Sequence, residues 1–208
     1  MSDSTEVDPE RLRSELDTIQ EAMGLRERYP SQFRYWLLFG LLVVVASAGS
    51  QVIVLRELQP YLHGVVWWAL LGTAGVYQWW SSDGESNNST GGLPKPRIGV
   101  LWLAVFALYV VFLFALEPAL EELTRPTSEI LVFSPIVGLT GVAYLVVGEA
   151  LRAYRVRRRD RLAFYVGGGW MLVLAVLLVQ VEFLHTWGYA LFGIIYGGHA
   201  LGSYLVLR

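Results

Sequence analysis

Residues 152–161 read RAYRVRRRDR, ten residues of which six are arginine and one is aspartate. What surrounds this run decides the fold. It is bracketed by two apolar stretches, about 129–150 and 162–183, each near the roughly 20 residues that a membrane-crossing helix needs. Lys and Arg concentrate in the short loops that stay on the cytoplasmic side of a membrane. Arg152, Arg155, Arg157, Arg158, Arg159 and Arg161 therefore read first as a topology signal. A nucleic-acid role is excluded, because a short loop between two spans offers no groove-reading element. Anionic lipid headgroups are the expected partner, with each basic residue near such a surface contributing about 1 kcal/mol.

The same length criterion, carried outward, finds six spans: about 35–55, 62–80, 98–117, 129–150, 162–183 and 187–207. Basic residues alternate between them. Arg26, Arg28 and Arg34 precede the first span, Lys95 and Arg97 lie between the second and third, and Arg208 follows the sixth; the opposite side has Arg56 and Arg125. This predicts an all-α integral membrane protein of six transmembrane helices in three same-orientation hairpins. It would sit multi-pass in the cell membrane, with both termini cytoplasmic. Residues 1–34 form a cytoplasmic acidic tail and helix, and residues 35–208 the transmembrane domain. The opening MSDSTEVDPE is acidic and polar, unlike the basic start of a secretory signal.

Composition agrees. Hydrophobic residues make up 54% of the 208, against about 45–50% in soluble domains. Cysteine is absent, which removes disulfides, thiolate catalysis and zinc–sulfur sites. Lys95 is the only lysine beside fifteen arginines, a usage that resembles GC-rich, salt-loving archaea.

Residues 8–29 predict an amphipathic helix, with Asp8 as cap, Pro9 in the first turn and Pro30 as the stop. Leu12, Leu16, Ile19 and Met23 make one apolar stripe. Residues 1–25 carry seven acids and two arginines. A segment of that charge should lie near the arginine-rich loop, with its stripe docked on the span ends or on a protein partner. Asn87 and Asn88 head N-x-[ST] sequons in a Gly/Ser/Asn linker that the topology places inside, away from glycosylation.

Small residues mark helix contacts in lipid, where hydrophobicity provides little attraction between helices. Ser134, Gly138, Gly141 and Gly148 share a face of the fourth span; Gly193 and Gly197 share one on the sixth, with Gly188, His199, Gly202 and Ser203 opposite. Gly64, Gly72 and Gly75 do the same on the second, and Gly40, Ser47 and Gln51 on the first. LLGTAGVYQ in the second span also aligns with IVGLTGVAY in the fourth, a hint of hairpin repetition.

Chemistry is sparse. Ionisable groups inside a span are costly and default to functional candidates. Three polar positions qualify: His199, Glu149 (within reach of Arg152) and Gln51. EFLH places Glu182 and His185 three apart, the spacing with which helix bundles hold iron or manganese. His63 is the remaining histidine on that side, but the second motif such a site needs is missing, so no metal and no cofactor is expected. Catalytic serine, zinc-helix and phosphate-loop motifs are also missing. The sequence thus points to a non-catalytic membrane protein acting as scaffold, anchor or sensor for a partner complex. The alternative is a small transporter or channel with a polar path near His199, Glu149 and Gln51.

Overall fold

Among the described residues every regular element is an α-helix. The computed structural model describes Glu15 and residues 30–82, 98–120, 122–153 and 158–207. Six helices follow in order: α1 (Pro30–Leu55), α2 (Tyr61–Ser82), α3 (Ile98–Leu120), α4 (Arg125–Ala153), α5 (Arg158–Gln180) and α6 (Glu182–Leu207). Four contain stretches long and apolar enough to cross a membrane: Leu37–Leu55, Val100–Leu120, Arg125–Arg152 and Arg158–Gln180. By helix length and hydropathy this is a multi-pass membrane protein, and its spans contact lipid. Large apolar side chains stand exposed on the outer faces, among them Phe114 and Ile194.

Several boundaries differ from the sequence reading. Pro30 opens α1, which suits a residue whose missing N–H would be unsatisfied in the first turn anyway. Arg158, Arg159 and Arg161 belong to the first turn of α5, not to a loop. Glu182 and His185 lie in the first turn of α6, because only Val181 separates α5 from α6. The amphipathic segment 8–29 lies outside the described residues except for Glu15, which is helical and exposed. The sequons at Asn87 and Asn88, Arg155, Arg157 and Arg208 also lie outside them.

The end of α1 shows how the chain turns. Leu58 N–H donates to Ile53 C=O at 3.0 Å and Glu57 N–H to Val54 C=O at 3.2 Å, while Glu57 takes a left-handed φ of 52°. That is the Schellman arrangement, which satisfies helix-end carbonyls through one left-handed residue. Glycine usually fills the position, and a glutamate there is strained.

The helices pack mainly as antiparallel neighbours: α4 on α5, α1 on α6, α1 on α2, α5 on α6 and α3 on α4. The most extensive contacts are α4 with α5 and α1 with α6. The successive hairpins α1–α2, α3–α4 and α5–α6 are also in contact, less extensively. Close approach of small residues explains the two larger contacts. Beside α6, a Cβ on Gly193 would lie 2.7 Å from Ser47 Cβ, and one on Gly197 2.6 Å from Val44. Between α4 and α5, a Cβ on Gly141 would lie 3.0 Å from the Gly168 carbonyl oxygen, and one on Gly148 3.0 Å from Tyr165. Gly138 faces Ala175 at an ordinary 3.4 Å.

Gly64, Gly72, Gly75 and Gly202 meet nothing within 4 Å. Among the described residues they make no helix contact, although their spacing matched the packed glycines. Among the described residues, Gly72 and Gly75 of LLGTAGVYQ are thus open where the matching Gly138 and Gly141 of IVGLTGVAY are packed.

Between the parallel helices α2, α4 and α6 lies an aromatic core. Phe133 stacks on Tyr189 at 4.2 Å and meets Phe192 edge-on at 5.4 Å; Trp67 and Trp170 flank Phe192. Met171 and Leu178 of α5 close it, both fully buried.

Candidate functional site

Polar groups collect at two ends of this bundle, and the more enclosed collection joins the α1–α2 turn to the start of α4. Thr124 precedes α4, and its carbonyl accepts from Ser128 N–H at 2.9 Å. One turn in, Arg125 Nε donates to Glu129 Oε1 at 2.7 Å. This i,i+4 spacing puts both side chains on one face. The other arm of the guanidinium crosses to the α1–α2 turn. Its Nη1 donates to the Glu57 carbonyl at 2.9 Å and its Nη2 to the Leu58 carbonyl. Arg125 thus caps the C-terminal end of one helix from the N-terminal end of another, where a cation is favoured by the helix dipole.

Glu129 is 8% exposed, and its second oxygen lies 3.8 Å from His63 Nε2. The His63 ring stacks on Tyr189 at 4.8 Å and 16°. Neither of its nitrogens is accessible, and Glu129 is the carboxylate that faces it. The cluster therefore holds an ion pair, a buried imidazole and the phenol of Tyr189. Among the described residues no group of three or more His, Cys, Asp or Glu could hold a metal.

The other polar positions are placed as follows. Glu149 accepts from Tyr165 Oη at 2.8 Å and from Arg152 Nη1 at 3.2 Å, on an exposed surface. His199 packs over Gly167, edge-on to Trp170 at 6.2 Å, and is hydrogen-bonded to the Ala163 backbone. Gln51 is consumed by α6. Its Nε2 donates to Thr186 C=O at 2.7 Å, and its Oε1 accepts from Ala190 N–H at 2.9 Å. Those two backbone groups are four residues apart, partners in a regular helical ladder, so one side-chain amide clamps both. His185 Nε2 lies 3.3 Å from Val179 C=O, turned to the α5–α6 corner and away from any carboxylate cluster. Midway between the ends, the Tyr144 and Tyr196 hydroxyls pair at 2.7 Å.

A surface groove of about 380 Å³ runs between α4 and α5, lined by Ser134, Gly138, Leu172, Ala175, Val176 and Gln180 among others. Its one buried hydroxyl, Ser134, donates to Ala175 C=O at 2.8 Å and is not offered to a ligand.

Sequence reading passed over Glu129 and counted Arg125 only in the topology argument, with Arg56 on the less basic side, although the i,i+4 spacing of Arg125 and Glu129 is visible in the chain. Nothing in the sequence could place His63 on Tyr189, because that contact joins helices 126 residues apart. Comparison with family models, with curated proteins and with solved structures finds no match for this chain.

Proposed function

We propose that the chain is a six-span, non-catalytic membrane protein that serves as a scaffold, anchor or sensor for a partner complex. The observation that carries this reading is the state of its interior polar groups. Gln51, Ser134 and the Tyr144–Tyr196 pair are each used up in helix-to-helix bonds, between aromatic and glycine-packed faces. A transport path instead needs several polar groups free to hold a solute, at mid-depth and beside broken helices. The alternative route through Gln51, Glu149 and His199 loses Gln51 to the α6 backbone and Glu149 to the surface.

Six spans follow from treating α2 and α6 as crossings too. At about 1.5 Å per residue α2 is about 33 Å long and α6 longer, enough for a hydrocarbon core of about 30 Å. Both are diluted in hydropathy by glycine, tyrosine and histidine. Both also pack beside helices that cross. The N-in, C-in orientation rests on the basic-loop alternation. In sealed cells an impermeant thiol reagent should modify Thr127→Cys and leave Ser86→Cys unlabelled; modification of Ser86→Cys would reverse the orientation.

The scaffold reading is tested in proteoliposomes loaded with a pH-sensitive dye. No protein-dependent proton or ion flux is expected under an imposed gradient and potential. A flux that His199→Ala abolishes would replace the scaffold with the transporter.

A further inference from the structure

Six arginines and two acids stand between residues 149 and 161, a net charge of +4, yet the arginines at this end of the bundle are not equivalent. Arg152 is engaged: its Nη1 and the Tyr165 hydroxyl donate to the two oxygens of Glu149. Gly148 lets the start of α5 close on the end of α4, with Tyr165 Cε1 3.0 Å from where a Cβ would stand. Among the described residues the side chains of Arg158, Arg159 and Arg161 form no salt bridge. Arg158 and Arg159 are exposed, and Arg161 Nε is buried without a hydrogen-bond partner. All three crowd the first turn of α5, where Asp160 is the one acid and where the helix dipole favours an anion and opposes cations. Below them the helix face turns apolar. Arg158, Leu162, Val166, Gly169 and Val173 fall within about 80° around α5. Leu162, Val166 and Val173 are exposed, and a Cβ on Gly169 would meet nothing within 4 Å. This is the lipid-facing stripe of a span, and it ends on the free arginines.

We propose that Arg158, Arg159 and Arg161 form a seat for one anionic phospholipid, its phosphate against the guanidiniums and an acyl chain running down Leu162, Val166 and Val173. Two features favour a lipid over a soluble anion. The uncompensated positive charge is complementary to a phosphodiester, which guanidinium groups hold through paired N–H donors. The cationic end is also continuous with a face of α5 that already contacts the bilayer, so one helix engages both headgroup and chain. Glu149 does not neutralise the seat, because both of its oxygens are occupied by Arg152 and Tyr165. The seat depends on α4 and α5 crossing the bilayer and not on the scaffold reading. A diffuse basic surface would lose the same affinity at any arginine. A built seat loses it at Arg158, Arg159 and Arg161 and keeps it at Arg152.

The test is native mass spectrometry of the full-length protein, delipidated in mild detergent and titrated with phosphatidylglycerol or with phosphatidylcholine of the same chains. Wild type should take up one phosphatidylglycerol with a preference of about tenfold or more over phosphatidylcholine, and Arg158→Gln, Arg159→Gln and Arg161→Gln should each weaken that binding by about fivefold. Arg152→Gln removes the same charge from the same end and should change it little. Inorganic phosphate in excess should not displace the lipid. Equal affinity of wild type for the two lipids, as when the acidic residues 1–25 cover the arginines instead, would overturn the proposal. So would a loss at Arg152→Gln as large as that at Arg158→Gln, which means diffuse attraction without a seat. Displacement by inorganic phosphate would make this a soluble-anion site and overturn the lipid assignment. If Arg161→Gln does not fold, the exposed positions Arg158 and Arg159 carry the comparison with Arg152.

Discussion

Gly141→Leu abolishes the folded bundle, or lowers its unfolding free energy by about 3 kcal/mol or more, while Gly72→Leu leaves it unchanged. Both glycines lie in the similar segments LLGTAGVYQ and IVGLTGVAY, where Gly72 matches Gly138 and Gly75 matches Gly141, yet among the described residues only Gly141 of the two has a neighbour within 4 Å. A Cβ there would lie 3.0 Å from the Gly168 carbonyl oxygen and 3.2 Å from Leu172 N. Those are backbone atoms that cannot rotate away. Overpacking of a well-packed site typically costs about 1–3 kcal/mol, and a leucine against backbone belongs at or above the upper end. At Gly72 nothing lies within 4 Å, and leucine gains helix propensity. Unfolding of the three proteins in mild detergent, followed by circular dichroism, checks this. Equal stability of Gly141→Leu and Gly72→Leu would mean that α4 and α5 are not in contact at Gly141.

Arg125→Ala should be the most damaging single loss of a charge. It strands Glu129, which is 8% exposed, and uncaps the Glu57 and Leu58 carbonyls. Removing one partner of a buried pair typically costs about 3–5 kcal/mol. Arg125 is 39% exposed, so water recovers part of that, and about 2–3 kcal/mol is expected. Most of this is the penalty of a carboxylate left alone. Adding Glu129→Gln to Arg125→Ala should therefore restore stability rather than lower it further, and a double-mutant cycle measures the coupling directly. Strict additivity of the two substitutions would show that the pair has no energetic link.

The helical class and the positions of the six helices were legible from apolar run length alone. Run length reports the thickness a segment can cross and says nothing about which neighbour it meets. The glycine spacing at Gly138, Gly141 and Gly148 reads the same as that at Gly64, Gly72 and Gly75, because periodicity identifies a face and not its partner. The α1–α6 pairing was hidden for the same reason. The Arg125–Glu129 pair was within reach of local spacing. His63 was visible only as one of three histidines, since its burial is built by Tyr189 and Glu129 from two distant helices. Gln51 looked like a solute ligand because a buried amide is rare in a span; its backbone partners, Thr186 and Ala190, leave no mark on sequence.

The clamp that Gln51 places on α6 also sets an order of assembly. Its partners lie 135 and 139 residues further along the chain, so α1 is made long before the groups that satisfy it exist. During synthesis the Gln51 amide must be tolerated in lipid, or find a temporary partner on α2 or the insertion machinery. Polar groups in hydrocarbon seek any available partner. When α6 enters, it displaces that interim contact, and the small residues Gly193 and Gly197 let it seat along α1. A ribosome stalled before α6 would leave Gln51 without the two backbone groups that satisfy it. Membrane quality control that recognises exposed polar groups within spans would find Gln51 there, and the seating of α6 would remove the mark.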